Sequence, residues 1–199
     1  MCCEICDNDA VYRCSVCGRL LCAEHLKLRT VCASHLNKAV STFTVKKVTS
    51  EAERTFVRSL VERCWGEEEQ LTFDRRFVVA EFPTYVAKLK QSVAGFASFA
   101  ETDDALIVVA LGVVPQCQGL GVGRRLIEKV EEEAKKLRKR RMLVSTSNDD
   151  LPALAFYQSL GFQIYDVRPD VVARKHGAVL PGIGGLPVRD ELRLQKKLN

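Results

Sequence analysis

The segment VVPQCQGLGVGRRL, residues 113–126, constrains the chain more than any other. Residues 105–114 carry no charge, and beyond the segment the sequence becomes charged and helix-like. A run that is apolar at every position has no solvent face, so it reads as a strand in the interior of a sheet. Gly119, Gly121 and Gly123 then occupy alternate positions at the junction. Inside regular structure each glycine costs about 0.5–1 kcal/mol relative to alanine. Three of them here imply a need for bare backbone. Bare backbone at the start of a helix is what a phosphate group binds.

The elements around this junction follow from periodicity. Residues 43–48 alternate as a strand. Ser50 and Glu53 form a capping box, and Phe56, Val57, Leu60, Val61 and Cys64 then repeat at helical spacing, which makes Cys64 a core residue. Strands are expected over 77–82, 85–89, 93–100 and 105–114. After the glycines, Leu126, Ile127, Val130, Ala134 and Leu137 line one helix face, with Glu131–Lys135 and Glu132–Lys136 as supporting pairs on the exposed side. A strand over 142–146, a helix over 152–160 ending at Gly161, and strands over 162–167 and 192–198 complete the order. A loop rich in Gly and Pro lies between the last two strands. This order of elements predicts an α/β architecture, a mixed sheet with helices on its faces.

Seven of the nine cysteines fall within the first 32 residues. The 199 residues therefore divide into a Cys/His-rich head, 1–38, and a body of ordinary composition, 42–199. The head carries Cys3-x2-Cys6, Cys14-x2-Cys17, Cys22-x2-His25 and Cys32-x2-His35. A two-residue gap lets one turn present two ligands, and zinc takes four. Eight ligands make two closed, structural Zn²⁺ sites. So few aliphatic residues cannot fold the head alone, and the metal supplies that energy. Cys2 is an alternative to Cys3 at a less typical spacing. The opening MCCEIC lacks the basic-then-apolar pattern of a secretory signal, and no stretch approaches the ~18 apolar residues of a membrane span. The expectation is a cytoplasmic protein with no membrane partner. The net charge of +5 permits an acidic partner without requiring one. The basic run KKLRKRR, 135–141, reads as the solvated end of a helix.

Three phosphate loops can be compared with the glycine segment. The dinucleotide fingerprint fails, because the position that needs its third glycine holds Arg124 and Lys139–Arg141 stand where an acidic residue is expected. The P-loop pattern fails as well. Gln118-x-x-Gly121-x-Gly123 instead resembles the (Arg/Gln)-x-x-Gly-x-(Gly/Ala) signature of the GNAT family of N-acetyltransferases. LGVVPQCQGLGVGRRL is similar to that family's whole strand–loop–helix segment. NDDLPALAFYQSLGF is similar to its second motif, with Tyr157 three residues before Leu-Gly-Phe. The likeness covers residues 42–199. One departure is that many relatives place Asn seven residues before the tyrosine, where this chain has Asp150 and the nearest Asn is Asn148. The head resembles a B-box-like finger in ligand order.

These resemblances imply a GNAT acyl-CoA N-acyltransferase fold preceded by a small zinc module. The implied reaction is acetyl transfer from acetyl-CoA to a primary amine by direct attack. Gln118, Gly119, Leu120, Gly121, Val122, Gly123 and Arg124 would cradle the pyrophosphate. Leu111 and Val113 would pair with the pantetheine arm. Tyr157 would protonate the departing thiolate. By the B-box resemblance Cys3, Cys6, Cys22 and His25 share one zinc, and Cys14, Cys17, Cys32 and His35 the other. Such fingers bind proteins or nucleic acid, so the head would recruit or position an acceptor, with a protein among the candidates. The alternative is an acyl-CoA-sensing protein whose finger contacts nucleic acid or a protein partner. The general base is not visible in the sequence. Glu81, Glu101, Asp190, Glu191 and water are the candidates. Cys117 reads as a turn residue and His176 as a solvent-exposed loop residue.

Overall fold

The computed structural model describes residues 43–66, 68–89 and 92–198, together with Tyr12–Arg13 and Leu20–Leu21. Those two short segments pair antiparallel, Tyr12 opposite Leu21 and Arg13 opposite Leu20. Cys2 and the eight candidate zinc ligands lie outside the described residues.

The body is a seven-stranded sheet. Its strands are β1 (Phe43–Lys47), β4 (Thr84–Leu89), β5 (Ser92–Glu101), β6 (Ala105–Val113), β7 (Arg141–Ser147), β8 (Gln163–Arg168) and β9 (Glu191–Lys197). A separate hairpin of β2 (Glu69–Thr72) and β3 (Arg75–Val78) precedes β4. The helices are α1 (Glu51–Trp65), α2 (Val122–Lys136), α3 (Leu151–Ser159) and the short α4 (Val171–His176). Across the sheet the order is β8-β9-β7-β6-β5-β4-β1. Every pairing is antiparallel except β6 with β7. The wholly apolar β6 takes the central place, as a strand without a solvent face must.

Alternate side chains of β6 feed two cores. Leu106 and Val108 join Phe99, Leu126, Ile127, Val130 and Tyr157 beneath α2 and α3. Ala105, Ile107 and Val109 join Val57, Leu60, Val61 and Phe96 beneath α1. A bulge then breaks the alternation. Ser98 faces Ala110 and Phe99 faces Val108, which leaves Val109 as the extra residue. Val109 and Ala110 both belong to the α1 side, so Leu111 and Val113 return to the α2 side. One inserted residue has re-aimed the end of the strand.

Several expectations need correction. The strand expected over 77–82 is β3 ending at Val78, followed by a 3-10 turn over Val79–Glu81, and β2 was not foreseen. Leu137 lies beyond the last turn of α2 and is exposed. Glu131 does pair with Lys135 (2.9 Å), but it also holds Lys196 of β9 (2.6 Å). Glu132 pairs with Lys129 (2.5 Å), not Lys136. The Gly/Pro-rich stretch after β8 contains α4 and a small ladder, Leu180–Pro181 with Pro187–Val188. Cys64 falls in the last turn of α1, its side chain outside the described residues. In the basic run, Lys139 donates to the Thr102 carbonyl (2.7 Å) and Arg141 meets Asp104 (3.0 Å).

Candidate active site

The parallel ladder between β6 and β7 runs only from Ala105 opposite Arg141 to Val108 opposite Val144. Past that point the strands part, and the bulge at Val109 sits at the fork. The backbone of residues 111–113 therefore has a ladder with β5 on one side and none with β7 on the other. Two cavities open into the wedge.

The larger cavity, about 510 Å³, follows the glycine loop. It is lined by Leu111, Val113, Gln118, Gly119, Gly121, Val122, Gly123 and Arg124, with Cys117, Pro152, Ala153, Phe156 and Tyr157 completing the lining. Of the nine residues expected to bind the cofactor, Leu120 is the one absent from that lining, and its side chain, like that of Val122, is buried in the core under α2. Its backbone remains part of the loop. The three glycines serve two purposes. Gly119 (φ 75°) and Gly121 (φ 83°) adopt left-handed backbone that other residues take up only with strain. Gly123 has ordinary helical φ, but a Cβ there would lie 3.2 Å from Cζ of Phe156. Gly121 caps α2, and Arg125 donates to its carbonyl (3.0 Å), the first helical bond. The amides of Val122, Gly123 and Arg124 thus begin the helix without an intrahelical acceptor, where the dipole favours an anion. Gln118, first residue of the signature, donates its side-chain amide to the Val113 carbonyl (3.2 Å) and pins the loop to the end of β6.

The smaller cavity, about 310 Å³, lies on the other side of the fork. Ser145, Thr146 and Ser147 of β7 line it, with Gln70 and Thr72 of the hairpin, Glu191 of β9, and Lys175 and His176 of α4. Leu111, Ala153 and Tyr157 line both cavities and mark where they meet.

Tyr157 is buried among Phe156 (ring centroids 5.1 Å) and Phe162 (5.6 Å), both edge-on. Its hydroxyl makes no hydrogen bond to any described residue. Burial, and then the charge of Asp150, hold the phenol well above its usual range, so it stays protonated at any ordinary pH. A protonated phenol between two cavities can act as a general acid. Phe156 is partly buried against the core and forms part of the cofactor-side wall. Burial likewise raises the Cys117 thiol, which makes it a poor nucleophile.

Asp150 caps α3 through its carboxylate, which accepts from the Ala153 amide (3.0 Å). Asn148 donates to the Pro187 carbonyl (2.7 Å) and accepts from the amides of Arg189 (2.9 Å) and Asp190 (2.8 Å). It staples the segment before β9 and lines neither cavity.

Of the candidate bases, Glu81 is exposed on the 3-10 turn, and Glu101 faces Lys139 (3.4 Å) at the far end of β5. Asp190 is held by Arg189 (3.2 Å) and by the amide of Asp170 (2.9 Å). Glu191 alone reaches a cavity. It is buried, and its Oε1 accepts from the Thr72 hydroxyl (2.9 Å) and the Phe73 amide (3.0 Å), while Oε2 accepts from Arg193 (2.8 Å). His176 is exposed at the end of α4, not in a loop, and lies on the rim of the smaller cavity. Gln70, Thr72 and Ser145 were missed by sequence reasoning. Polar residues in short strands carry no pattern that marks them as lining a cavity.

Comparisons agree with this geometry. The protein YxbD of Bacillus subtilis (strain 168), itself uncharacterized, is 26% identical over 155 residues, 75% of this chain and 96% of its own length. The IAA acetyltransferase structure from Bacillus cereus ATCC 14579 superposes with a TM-score of 0.66 at 26% identity, covering 78% of this chain and 99% of that one. A Bacillus subtilis acetyltransferase solved with CoA shares the fold, with a TM-score of 0.66 at 22% identity, covering 79% and 99%. Residues 47–162 match the profile of the Acetyltransferase (GNAT) family, and with the split sheet and the glycine loop in place the chain belongs to that family, an N-acetyltransferase.

Proposed function

We propose that the body transfers the acetyl group of acetyl-CoA to a primary amine by direct attack. The observation that carries this reading is the meeting of two cavities at Tyr157. The glycine-loop cavity suits the pyrophosphate, on the amides of residues 119–124, and the pantetheine arm, along residues 111–113. The fold's occurrence in an acetyltransferase solved with CoA supports that assignment. The smaller cavity takes the amine. Tyr157 is then placed to give its proton to the departing sulfur. Incubating the protein with acetyl-CoA and a panel of spermidine, amino acids, an aminoglycoside and amino-terminal peptides tests it. Thiol release with an acetylated product is expected. Tight acetyl-CoA binding with no acetyl loss to any acceptor would favour the sensing alternative.

The head completes the proposal. Its four Cys/His pairs hold two structural zinc ions, crossed as Cys3, Cys6, Cys22, His25 and Cys14, Cys17, Cys32, His35, and present the acceptor or a protein or nucleic-acid partner. The spacing supports this, as does the small antiparallel ladder whose strands flank Cys14 and Cys17 in sequence. Metal analysis should return about two zinc ions per chain, and fewer than about 1.5 would overturn the two-site reading. Among the described residues no helix is long and apolar enough to cross a membrane.

A further inference from the structure

The acceptor cavity contains a chain of hydroxyls that ends on a carboxylate. Ser145 follows directly on Val144, the last residue of β7 in the ladder with β6, so it stands at the fork. Its Oγ lies 2.5 Å from Oγ1 of Thr72, and Thr72 Oγ1 lies 2.9 Å from Oε1 of Glu191. All three residues line the cavity, and Tyr157 lines it too. The direction of the chain is forced. A carboxylate has no proton to give, so Thr72 donates to Glu191. A hydroxyl has one proton, so Thr72 must accept from Ser145. Ser145 has then spent its own proton, and only acceptor lone pairs are left on its Oγ.

We propose that Ser145, Thr72 and Glu191 form the relay that removes the proton of the attacking amine. The inference rests on the transferase reading above. The amine nitrogen donates an N–H to Ser145 Oγ as its lone pair forms the C–N bond to the thioester carbonyl. When the C–S bond breaks, its electron pair leaves with sulfur, and the sulfur takes the phenolic proton of Tyr157. The nitrogen's proton passes to Ser145, the proton of Ser145 to Thr72, and that of Thr72 to Glu191. Solvent afterwards removes the proton from Glu191 and returns one to Tyr157, so each turnover consumes one amine and one thioester and yields one amide and one thiol. Ser145 is the catalytic residue here, since it touches the amine. Thr72 and Glu191 act through it.

Glu191 sits in a charged cluster. Arg193 is shared among Glu191 (2.8 Å), Asp74 (2.9 Å) and Asp166 (3.5 Å), and Arg168 approaches Asp74 (3.7 Å). Three carboxylates face two guanidiniums, which leaves one negative charge for the relay to discharge onto. The other ionisable groups on the cavity are Asp150, already engaged as the cap of α3, and Lys175 and His176 at the rim. They stay the same in the variants below, so their titration cancels in a comparison at equal pH.

The test uses the full chain with ethylamine as acceptor and thiol release as readout. Hydrolysis by water is recorded in parallel, because water attacking from the same place loses its proton by the same route. Thr72→Val keeps the shape and removes the hydroxyl, Ser145→Ala removes the first link, and Thr72→Ser restores the chain. The first two should lower kcat on the order of tenfold to a hundredfold, at or below the low end of positioned proton transfer. Their affinity for acetyl-CoA should be unchanged by calorimetry. Their rates should also climb more steeply with pH than the wild type's, since hydroxide must then take the proton that the relay no longer accepts. Thr72→Ser should recover both the rate and the wild-type pH profile. Variants within about threefold of the wild type, with its pH profile, overturn the relay. So does a crystal structure with CoA in which Thr72 Oγ1 lies beyond hydrogen-bond reach of Ser145 or Glu191. A wild-type chain that binds acetyl-CoA yet releases no thiol to ethylamine or water overturns the transferase reading, and the relay with it.

Discussion

At the scale of single residues, Tyr157 serves as both a core aromatic and the proposed acid. Its ring packs edge-on against two phenylalanines, and the residue lines both cavities. Tyr157→Phe keeps the packing and removes only the proton. Turnover should fall on the order of a hundredfold, as expected for positioned acid catalysis, with acetyl-CoA affinity nearly unchanged. A loss within about threefold would mean that water protonates the thiolate. The pH dependence has a definite sign. Because the phenol is held above its usual range, the acid form persists as pH rises, so no alkaline fall in rate through pH 9 should come from Tyr157. The motif spacing pointed to this residue. That it stays protonated follows from its burial, which only the fold creates.

At the scale of elements, the glycine loop is legible because backbone demands write themselves into sequence as glycine. Gly121 caps α2 in left-handed conformation, so Gly121→Val strains the cap as well as crowding the amides. Acetyl-CoA affinity should drop by about tenfold or more, read by calorimetry, with the remaining sheet intact by circular dichroism. Helix α1 shows how a cap can be read correctly and its partners missed. Ser50 does accept from the Glu53 amide (3.3 Å), as the capping box requires. The Glu53 carboxylate, however, is taken mainly by Lys46 of β1 (2.6 Å) and Lys88 of β4 (2.8 Å), with a long contact to the Thr49 amide (3.4 Å). Lys46 first and Lys88 second hold its carboxyl down at about 2 against a usual value of 4.5. A depressed carboxyl stabilises the fold above its unfolded value and loses that contribution as pH falls toward its folded one. Glu53→Gln should therefore lower Tm by roughly 2–4 °C near neutral pH, with part of the gain discounted because Lys46 is half exposed. The gap between variant and wild type should close between about pH 4.5 and 2, followed by thermal melts across that window.

At the scale of the whole molecule, the proposed function divides the work between the head and the body. Among the described residues, those that line the two cavities all belong to the body. The body also holds both apolar cores. Residues 40–199 expressed alone should fold, bind acetyl-CoA and acetylate a small amine, losing activity only toward an acceptor that the head presents. A truncated body that folds but cannot bind acetyl-CoA would make the head part of the cofactor site.

The sequence by itself determined the order of the main-sheet strands and of α1–α3, the central place of β6, the glycine loop and the tyrosine of the second motif. These are local demands: periodicity, apolar runs and glycines needed for backbone shape. Tertiary structure decided which faces they serve. Strict alternation would have put Leu111 and Val113 on the face of Val109, under α1. The bulge at Val109 shifts the phase and turns them toward α2 and the cofactor-side cavity. The acceptor cavity is equally nonlocal, since Thr72, Ser145 and Glu191 are separated by 73 and 119 residues and meet only because the hairpin folds over the fork. A serine and a threonine in ordinary strands leave no mark in sequence. Their chemistry arises when the sheet brings one hydroxyl within reach of the next and sets a buried carboxylate behind them.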